Sequence, residues 1–197
     1  MEKDAVDDFK VVVIGGSAGS LEVILNIIHE LPVDTGAVFI IVVHRRNDKD
    51  SILEHLFSVK TRLTVNEVED KQPITLNTIF IAPPDYHLLV ENEAGFSLDS
   101  SERVNYSRPS IDVTFQSVAE VFGKRAVGVL LSGANADGAE GIESIRNAGG
   151  YTIVQNPATA EVSFMPLQAI NLGGIDAILD AEHIAGHIRE RCAQRPN

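Results

Sequence analysis

The feature that most limits the fold is a short β-branched segment, residues 10–14 (KVVVI), followed at once by the glycine-rich residues 15–20. An apolar run of this length is too short for a helix and is typical of a buried parallel strand that ends in a tight loop. Residues 21–31 then repeat apolar side chains at three- and four-residue steps before Pro32, which predicts an amphipathic helix. A second β-branched run, residues 37–43, completes a strand–helix–strand unit. This order predicts an α/β fold with a parallel sheet.

The rest of the chain extends this pattern after one interruption. Three short extended segments, residues 79–82, 88–90 and 96–98, are separated by turn-forming residues and predict a small antiparallel hairpin excursion. Alternation then resumes, with helices predicted over 111–122, 138–148, 165–171 and 181–192 and strands over 126–131, 151–154 and 175–178. We therefore expect a three-layer, doubly wound, mostly parallel sheet with helices on both faces. No internal repeat or low-complexity linker divides the chain, so one domain over residues 1–197, with a tail over 1–9, is expected.

Charge and cysteine content exclude several functions. The chain has 16 Lys and Arg against 28 Asp and Glu, a formal net charge of −12, which disfavours nonspecific binding to nucleic acid. No apolar run reaches the length of a membrane-spanning helix, and four acids among the first ten residues are unlike a signal peptide. The single cysteine, Cys192, excludes an internal disulfide and a multi-cysteine metal site. We expect a cytoplasmic protein with no membrane insertion, no metal and no cofactor.

In a doubly wound sheet, ligands bind at the carboxyl ends of the strands, so residues directly after each strand are candidates for the site. Ser17 lies in residues 15–19 (GGSAG), which fit G-x-S-x-G, a sharp turn that exposes a nucleophilic serine. The alternative is that Ser17 only caps the following helix. A dinucleotide-binding fingerprint fits less well, because G-x-G-x-x-G cannot be laid over residues 15–20.

Two further strand ends supply the other groups of a serine hydrolase. His44 directly follows the strand predicted over residues 37–43, where an imidazole would suit a general base, although a surface histidine is the alternative. Asp137 ends the loop after the strand over 126–131. It could hold the His44 tautomer, or it could cap the next helix with Glu140 as capping-box partner. A nucleophile, a base and an acid at one sheet edge predict a Ser-His-Asp site.

Several motifs in this order resemble the catalytic domain of the chemotaxis receptor methylesterase family (CheB type), serine hydrolases that act on glutamate methyl esters. They are residues 13–19 (VIGGSAG), 81–88 (IAPPDYHL), 107–113 (SRPSIDV), 128–133 (GVLLSG), 148–153 (AGGYTI) and 165–170 (MPLQAI).

The resemblance implies a triad of Ser17, His44 and Asp137 and protein-glutamate methylesterase activity, with deamidation of receptor glutamines as a second activity. It implies the methylated cytoplasmic helices of chemoreceptors as partners. It also implies an oxyanion hole built from main-chain N–H groups near Ala18 and Ala134, and substrate contact by Arg108.

The sequence departs from the usual family pattern beside each of these residues. Ala18 and Ser20 stand where the family usually has Thr and Gly, Arg45 stands where it has Met, and Ala134 replaces a second Met. No triad residue is lost. The changes leave two alternatives open: a CheB-like interaction module with weak or no turnover, or a serine hydrolase for another ester or amide.

Control and docking give two more expectations. Family enzymes commonly carry a receiver domain, but only about ten residues precede the first strand here, far fewer than the roughly 50 of a small domain. We therefore expect a stand-alone or excised form whose control would need a separate response regulator.

Around His44 a basic segment, residues 41–62, carries a net positive charge, opposite to that of the whole chain. Such a segment suits an acidic polypeptide partner, although a solvated helix start is the alternative. Its bases are Arg45, Arg46, Lys49, Lys60 and Arg62, against Asp48, Asp50 and Glu54.

Overall fold

The computed structural model of the chain describes residues 9–45 and 52–193. The expected tail lies almost wholly outside these ranges, as do Arg46 and Lys49 of the basic segment. The strands of the described part are β1 Lys10–Gly16, β2 Ala37–Val43, β3 Thr64–Glu67, β4 Thr78–Ile81, β5 His87–Asn92, β6 Gly95–Asp99, β7 Ala126–Leu130, β8 Tyr151–Gln155 and β9 Ala177–Leu179. The α-helices are α1 Leu21–Glu30, α2 Ile52–Ser58, α3 Ile111–Phe122, α4 Ala139–Asn147, α5 Phe164–Leu172 and α6 Ala181–Ala193.

Seven of these strands form one parallel sheet in the order β3-β4-β2-β1-β7-β8-β9. Strands β2, β3 and β4 lie on one side of β1, and β7, β8 and β9 lie on the other side. This arrangement makes the carboxyl end of β1, between β2 and β7, a topological switch point, where open α/β sheets bind their ligands. The predicted fold class is confirmed.

Both faces of the sheet are buried, which explains the unbroken apolar runs of β1 and β2. Along β1, Val11 and Val13 join the core on one face, whereas Val12 and Ile14 join the core on the other. Helices α3, α4 and α5 and the β5–β6 hairpin cover the first face, and α1, α2 and α6 cover the second. None of the helices in the described ranges is long and apolar enough to cross a membrane.

The middle of the chain differs from the prediction in one respect. Residues 79–82 were grouped with the hairpin, but they belong to β4, which pairs in parallel with β2 inside the main sheet. Ile79, Phe80 and Ile81 are fully buried, as a central strand requires. Only β5 and β6 form the separate antiparallel pair. Helix α2 and strand β3, two short elements beside the edge of the sheet at β3, were not predicted.

Helices α3 and α4 approach each other closely at Gly141. A Cβ atom placed on Gly141 would lie 2.6 Å from Phe115 Cβ and 3.2 Å from the Asp112 Cα atom. No real side chain is accommodated at the shorter of these distances without movement of a helix. The glycine therefore sets the distance between α3 and α4, and the loops at the start of both helices depend on it.

The variant Gly141→Ala should unfold more easily, because the added methyl group pushes α3 from α4, at a cost of about 1–3 kcal/mol in the free energy of unfolding. Gly186→Ala in α6 is the matched control, since its Cβ would meet nothing closer than Arg189 Nη2 at 3.8 Å. That variant should gain roughly 0.5–1 kcal/mol from helix propensity. Urea unfolding measures both, and equal effects of the same sign would contradict the close-approach argument.

Candidate active site

Three loops meet at the carboxyl end of β1. The β1–β2 register places Gly16 beside Val43, and the amide of His44 donates to Gly16 O at 3.3 Å. On the other side, the amide of Ser17 donates to Ser132 O at 2.9 Å, in the loop that follows β7. These main-chain bonds hold the loops of β1, β2 and β7 side by side, as the sequence analysis expected.

Ser17 lies on the turn between β1 and α1 and is partly exposed. The turn is closed by Ser20, whose hydroxyl and amide both donate to Ser17 O, at 2.7 Å and 3.1 Å. Gly19 has a φ of +77°, which favours glycine at that position. Helix α1 begins at Leu21 with Ser20 in the N-cap position, so the interpretation of Ser17 as the helix cap is wrong.

His44 and Asp137 are in direct contact. His44 Nε2 lies 2.6 Å from Asp137 Oδ2, and the side chains are 13 % and 0 % exposed. With Nε2 committed to the carboxylate, Nδ1 is the remaining ring nitrogen, and it lies 3.4 Å from Ser107 Oγ. Within the described ranges no hydrogen bond joins Ser17 Oγ to His44. The structure thus brings two of the three predicted residues together and leaves the third on the adjacent strand end.

The Asp137 carboxylate sits at the N-terminus of α3. It accepts hydrogen bonds from Ser110 Oγ at 2.8 Å and from the amides of Ile111 at 2.7 Å and Asp112 at 3.0 Å. Burial alone would raise the pKa of Asp137, but the hydrogen bonds from His44, these two amides and Ser110 outweigh it and hold the pKa below its usual 3.8. Asp137 is therefore ionised, and the positive end of the α3 dipole favours that charge.

Asp137 does not cap its own helix. The N-cap of α4 is Gly138, with a φ of +101° and no side-chain capping bond, so the capping-box alternative with Glu140 is wrong. The amides at the start of α4 instead donate to a carboxyl group of α3: Asp112 Oδ1 accepts from the amides of Gly138 at 2.8 Å and Gly141 at 2.7 Å. The arrangement is reciprocal: Asp137, just before α4, accepts from amides at the start of α3, and Asp112 of α3 accepts from amides at the start of α4.

Asp112 is a second buried carboxyl group of the site, and its role is not predicted from the sequence. It is 2 % exposed and accepts from Asn105 Nδ2 at 2.8 Å. Burial, together with the negative charge of Asp137, raises the pKa of Asp112 to about 7. The two carboxyl groups therefore differ, since Asp137 is ionised and Asp112 holds its proton until near neutral pH.

A tight turn brings Asn105 into the site. Val104 and Ser107 exchange main-chain hydrogen bonds at 3.2 Å and 2.8 Å, and both turn residues, Asn105 and Tyr106, have positive φ. Such φ values suit asparagine. The turn directs Asn105 toward the buried carboxyl groups and leaves Tyr106 94 % exposed. This turn is not among the predicted elements, although Asn105 was a sequence signal for it.

The two candidate oxyanion residues lie in loops that are bonded to each other. Ser132 Oγ donates to Ala18 O at 2.7 Å, and Gly133 N donates to Val162 O at 3.1 Å. Ala18 and Ala134 are both exposed. In the part of the chain that the structure describes, neither of their amides has a hydrogen-bond acceptor, so both N–H groups are available to an added ligand.

A cavity of about 340 Å³ opens beside His44, and Arg45 and Arg108 are on its wall. Arg108 thus lies near the site, as expected for a substrate contact. Lys60 and Arg62 do not, because they line a separate depression with Leu31, which directly follows α1. The basic segment therefore does not form a single surface around His44, because Lys60 and Arg62 follow α2 and lie apart from Arg45.

The fold and these contacts define a doubly wound α/β protein whose candidate site pairs a histidine with a buried aspartate at the switch point of the sheet. The family model described as CheB methylesterase matches residues 12–188. The chain belongs to this family, and the predicted resemblance is confirmed. The prediction of a methylesterase-type hydrolase is confirmed at the level of the family.

Individual relatives agree. A putative protein-glutamate methylesterase/protein-glutamine glutaminase of Leptospira interrogans is 42% identical over 182 residues, which cover 90% of this chain and 92% of that protein. An enzyme of Photorhabdus laumondii named protein-glutamate methylesterase/protein-glutamine glutaminase is 37% identical over 90% of this chain and 51% of its own length, so the chain spans about half of it. The crystal structure of the Thermotoga maritima CheB methylesterase catalytic domain matches with a TM-score of 0.88 and 32% identity, covering 92% of this chain and 98% of that one.

The raised pKa of Asp112 predicts a pH-dependent stability. Between pH 3.8 and about 7 the folded state retains a proton that the unfolded chain releases, so this group's contribution to the free energy of unfolding falls as the pH rises. Asp112→Asn cannot ionise. The free energy of unfolding of this variant minus that of the wild type should therefore rise as the pH goes from 4.5 to 8, by on the order of 1 kcal/mol.

Urea unfolding at a series of pH values measures this difference. Glu120→Gln removes an exposed carboxylate from the same helix and serves as the control for lost charge. A difference between Asp112→Asn and the wild type that stays constant with pH would show that Asp112 is ionised throughout.

Proposed function

We propose that this chain hydrolyses the γ-methyl esters of glutamate residues in a polypeptide to glutamate and methanol, with Ser17 as nucleophile, His44 as base and Asp137 as the acid of a triad. The observation that carries the proposal is the 2.6 Å contact between His44 Nε2 and the buried Asp137 carboxylate, beside the turn that carries Ser17. Membership of the CheB methylesterase family supports the choice of ester.

The first chemical step depends on the orientation of the His44 ring. Ionised Asp137 holds a proton on Nε2, which leaves the lone pair of Nδ1 to accept the proton of Ser17 Oγ. Ser17 Oγ makes no hydrogen bond to His44 in the described ranges, so the step requires the two groups to approach each other, and catalytic hydrogen bonds commonly tighten only when substrate is bound. Asp137 then stabilises the imidazolium that forms.

Bond making and breaking follow from these positions. Ser17 Oγ attacks the ester carbon, and the amides of Ala18 and Ala134 stabilise the oxyanion of the tetrahedral intermediate. The bond to the methoxy oxygen breaks as His44 returns its proton, so methanol leaves and an acyl-enzyme remains. Water then attacks the acyl carbon, His44 takes a proton from the water, and the glutamate product leaves as that proton returns to Ser17.

The same sequence of steps would deamidate glutamine, with ammonia as the leaving group. The names of the relatives include a protein-glutamine glutaminase activity, which supports this second reaction. For the substrate, we propose the methylated cytoplasmic helices of chemoreceptors. Side chains project outward from the surface of a helix, which suits an open site at the carboxyl ends of the strands.

Ser17→Ala should lower methanol release from a methyl-esterified receptor fragment about 10⁴-fold or more, the loss typical of removing a nucleophile. Ser107→Ala is the matched control, because Ser107 Oγ is the hydroxyl that lies 3.4 Å from His44 Nδ1. This variant should keep its rate within about tenfold of the wild type. Both variants should melt at the wild-type temperature.

A fluorophosphonate probe gives a second readout. It should label the wild type and Ser107→Ala but not Ser17→Ala. Loss of both labelling and turnover in Ser107→Ala alone would identify Ser107 as the nucleophile. An unlabelled, inactive wild type would favour the CheB-like interaction module, and labelling without turnover of methyl-esterified receptor would favour another ester or amide as substrate.

Asp137→Asn should reduce kcat about 10⁴-fold with little change in KM, because the neutral amide no longer holds the His44 tautomer. Its melting temperature should also fall, since the charge at the N-terminus of α3 is lost. Ser110→Ala, which removes one donor to Asp137 without removing the charge, should lower the melting temperature but keep most of the rate. Equal losses of rate in the two variants would contradict the triad role.

A further inference from the structure

The cavity of about 340 Å³ beside His44 is strongly basic. Three guanidinium groups lie on its wall, those of Arg45, Arg103 and Arg108, and Asp85 is the acidic residue among its lining residues. The chain as a whole carries a net charge of −12, so this concentration of positive charge runs against the composition. Local fields of this kind attract ligands of opposite charge even on a protein of unfavourable net charge.

Two of the guanidinium groups are held by hydrogen bonds from one terminal nitrogen each. Arg108 Nη1 donates to Ser100 O and Ser101 O, both at 2.7 Å. Arg45 Nη2 donates to the Glu67 carboxylate and to Ala82 O at 3.3 Å. In the described ranges, Arg108 Nη2 and Arg45 Nη1 donate to no protein acceptor. An arginine fixed at one nitrogen presents its other terminal N–H groups in a defined direction, which lowers the entropy cost of binding a carboxylate.

The neighbouring surface favours a polypeptide as the source of that carboxylate. Tyr106 lines the same cavity and is 94 % exposed at the tip of the turn between Val104 and Ser107. Exposed aromatic side chains beside arginines are typical anchors of protein–protein contacts, because they bury a large area with few rotatable bonds.

We propose that Arg45 and Arg108 form a subsite for a second, unesterified carboxylate of the substrate polypeptide, so that the enzyme prefers methyl esters with free acidic side chains nearby. The inference rests on the proposed function, because the subsite is defined by sharing its cavity with His44. It adds a source of specificity that the triad does not supply: the reacting ester is neutral and offers no charge to recognise.

Glu67 modulates this subsite. Its carboxylate pairs with Arg45 and partly neutralises the guanidinium, and both side chains retain some exposure, 27 % for Glu67 and 16 % for Arg45. A substrate carboxylate therefore competes with Glu67 for Arg45.

The test uses two synthetic peptides, each with one glutamate γ-methyl ester. In the first, glutamates flank the ester within one helical turn on both sides, and in the second glutamines replace them. The wild type should hydrolyse the glutamate peptide with a kcat/KM about fivefold or more above that of the glutamine peptide. Raising the NaCl concentration to about 0.5 M should reduce this ratio by screening.

Arg45→Met should bring the ratio close to one, because its KM rises more for the glutamate peptide than for the glutamine peptide. Glu67→Gln should raise the ratio, because it removes the competing carboxylate. A purely structural role of the Arg45–Glu67 pair predicts similar losses in both variants. Arg189→Met is the control for charge, since Arg189 pairs with Glu30 on the opposite face of the sheet, and it should keep the wild-type ratio.

Equal hydrolysis of the two peptides by the wild type, or a ratio retained in Arg45→Met, would overturn the subsite while leaving the proposed function intact. Hydrolysis of neither peptide would overturn the proposed function. In that case calorimetry on Ser17→Ala decides the subsite: a Kd about fivefold lower for the glutamate peptide, lost on adding Arg45→Met, supports it, and equal Kd values overturn it.

Discussion

The candidate site of this molecule depends on two buried carboxyl groups that link helices α3 and α4. Asp137, which precedes α4, accepts from the first amides of α3, and Asp112, in the first turn of α3, accepts from the first amides of α4. The buried Asp137 carboxylate remains ionised because the N-terminus of α3 supplies donors that replace the lost water. The same bonds fix α3 against α4, so the packing of the core and the position of the group that contacts His44 have one origin.

The parts of the fold that the sequence predicted well are those with strong local signals. The bounds of β2 and α3 were predicted as observed, since an unbroken β-branched run and a serine before an apolar helical repeat have few alternative interpretations. The assignment of residues 79–82 failed because a short apolar run can pair with any neighbour, and only the long-range contact with β2 determines its place. Helix α2 and strand β3, both short and largely at an edge, carry weak periodicity.

For the site, sequence reasoning found the residues that follow strands and missed the residues that support them. Ser17 and His44 are visible because strand ends of a doubly wound sheet face one crevice. Asp112 and Asn105 are not, because their role comes from contacts between segments that are distant along the chain, Asp112 with the start of α4 and Asn105 with Asp112. The helix-capping alternatives at Ser17 and Asp137 could be decided only by coordinates, since a cap and a catalytic group occupy the same place in a sequence.

The turn of Asn105 and Tyr106 has a consequence of another kind. Within two residues, one side chain bonds to the buried carboxyl pair and the next is exposed on the cavity wall, and Ser107 and Arg108 follow beside His44 and the cavity. The side chain on the cavity wall and the side chain that bonds to the buried carboxyl pair therefore lie together on one short piece of chain. In evolution or in engineering, exchanging this turn would alter the cavity wall and the contacts of the carboxyl pair together. A new cavity wall would leave those contacts intact only in turns that keep an asparagine in the left-handed region.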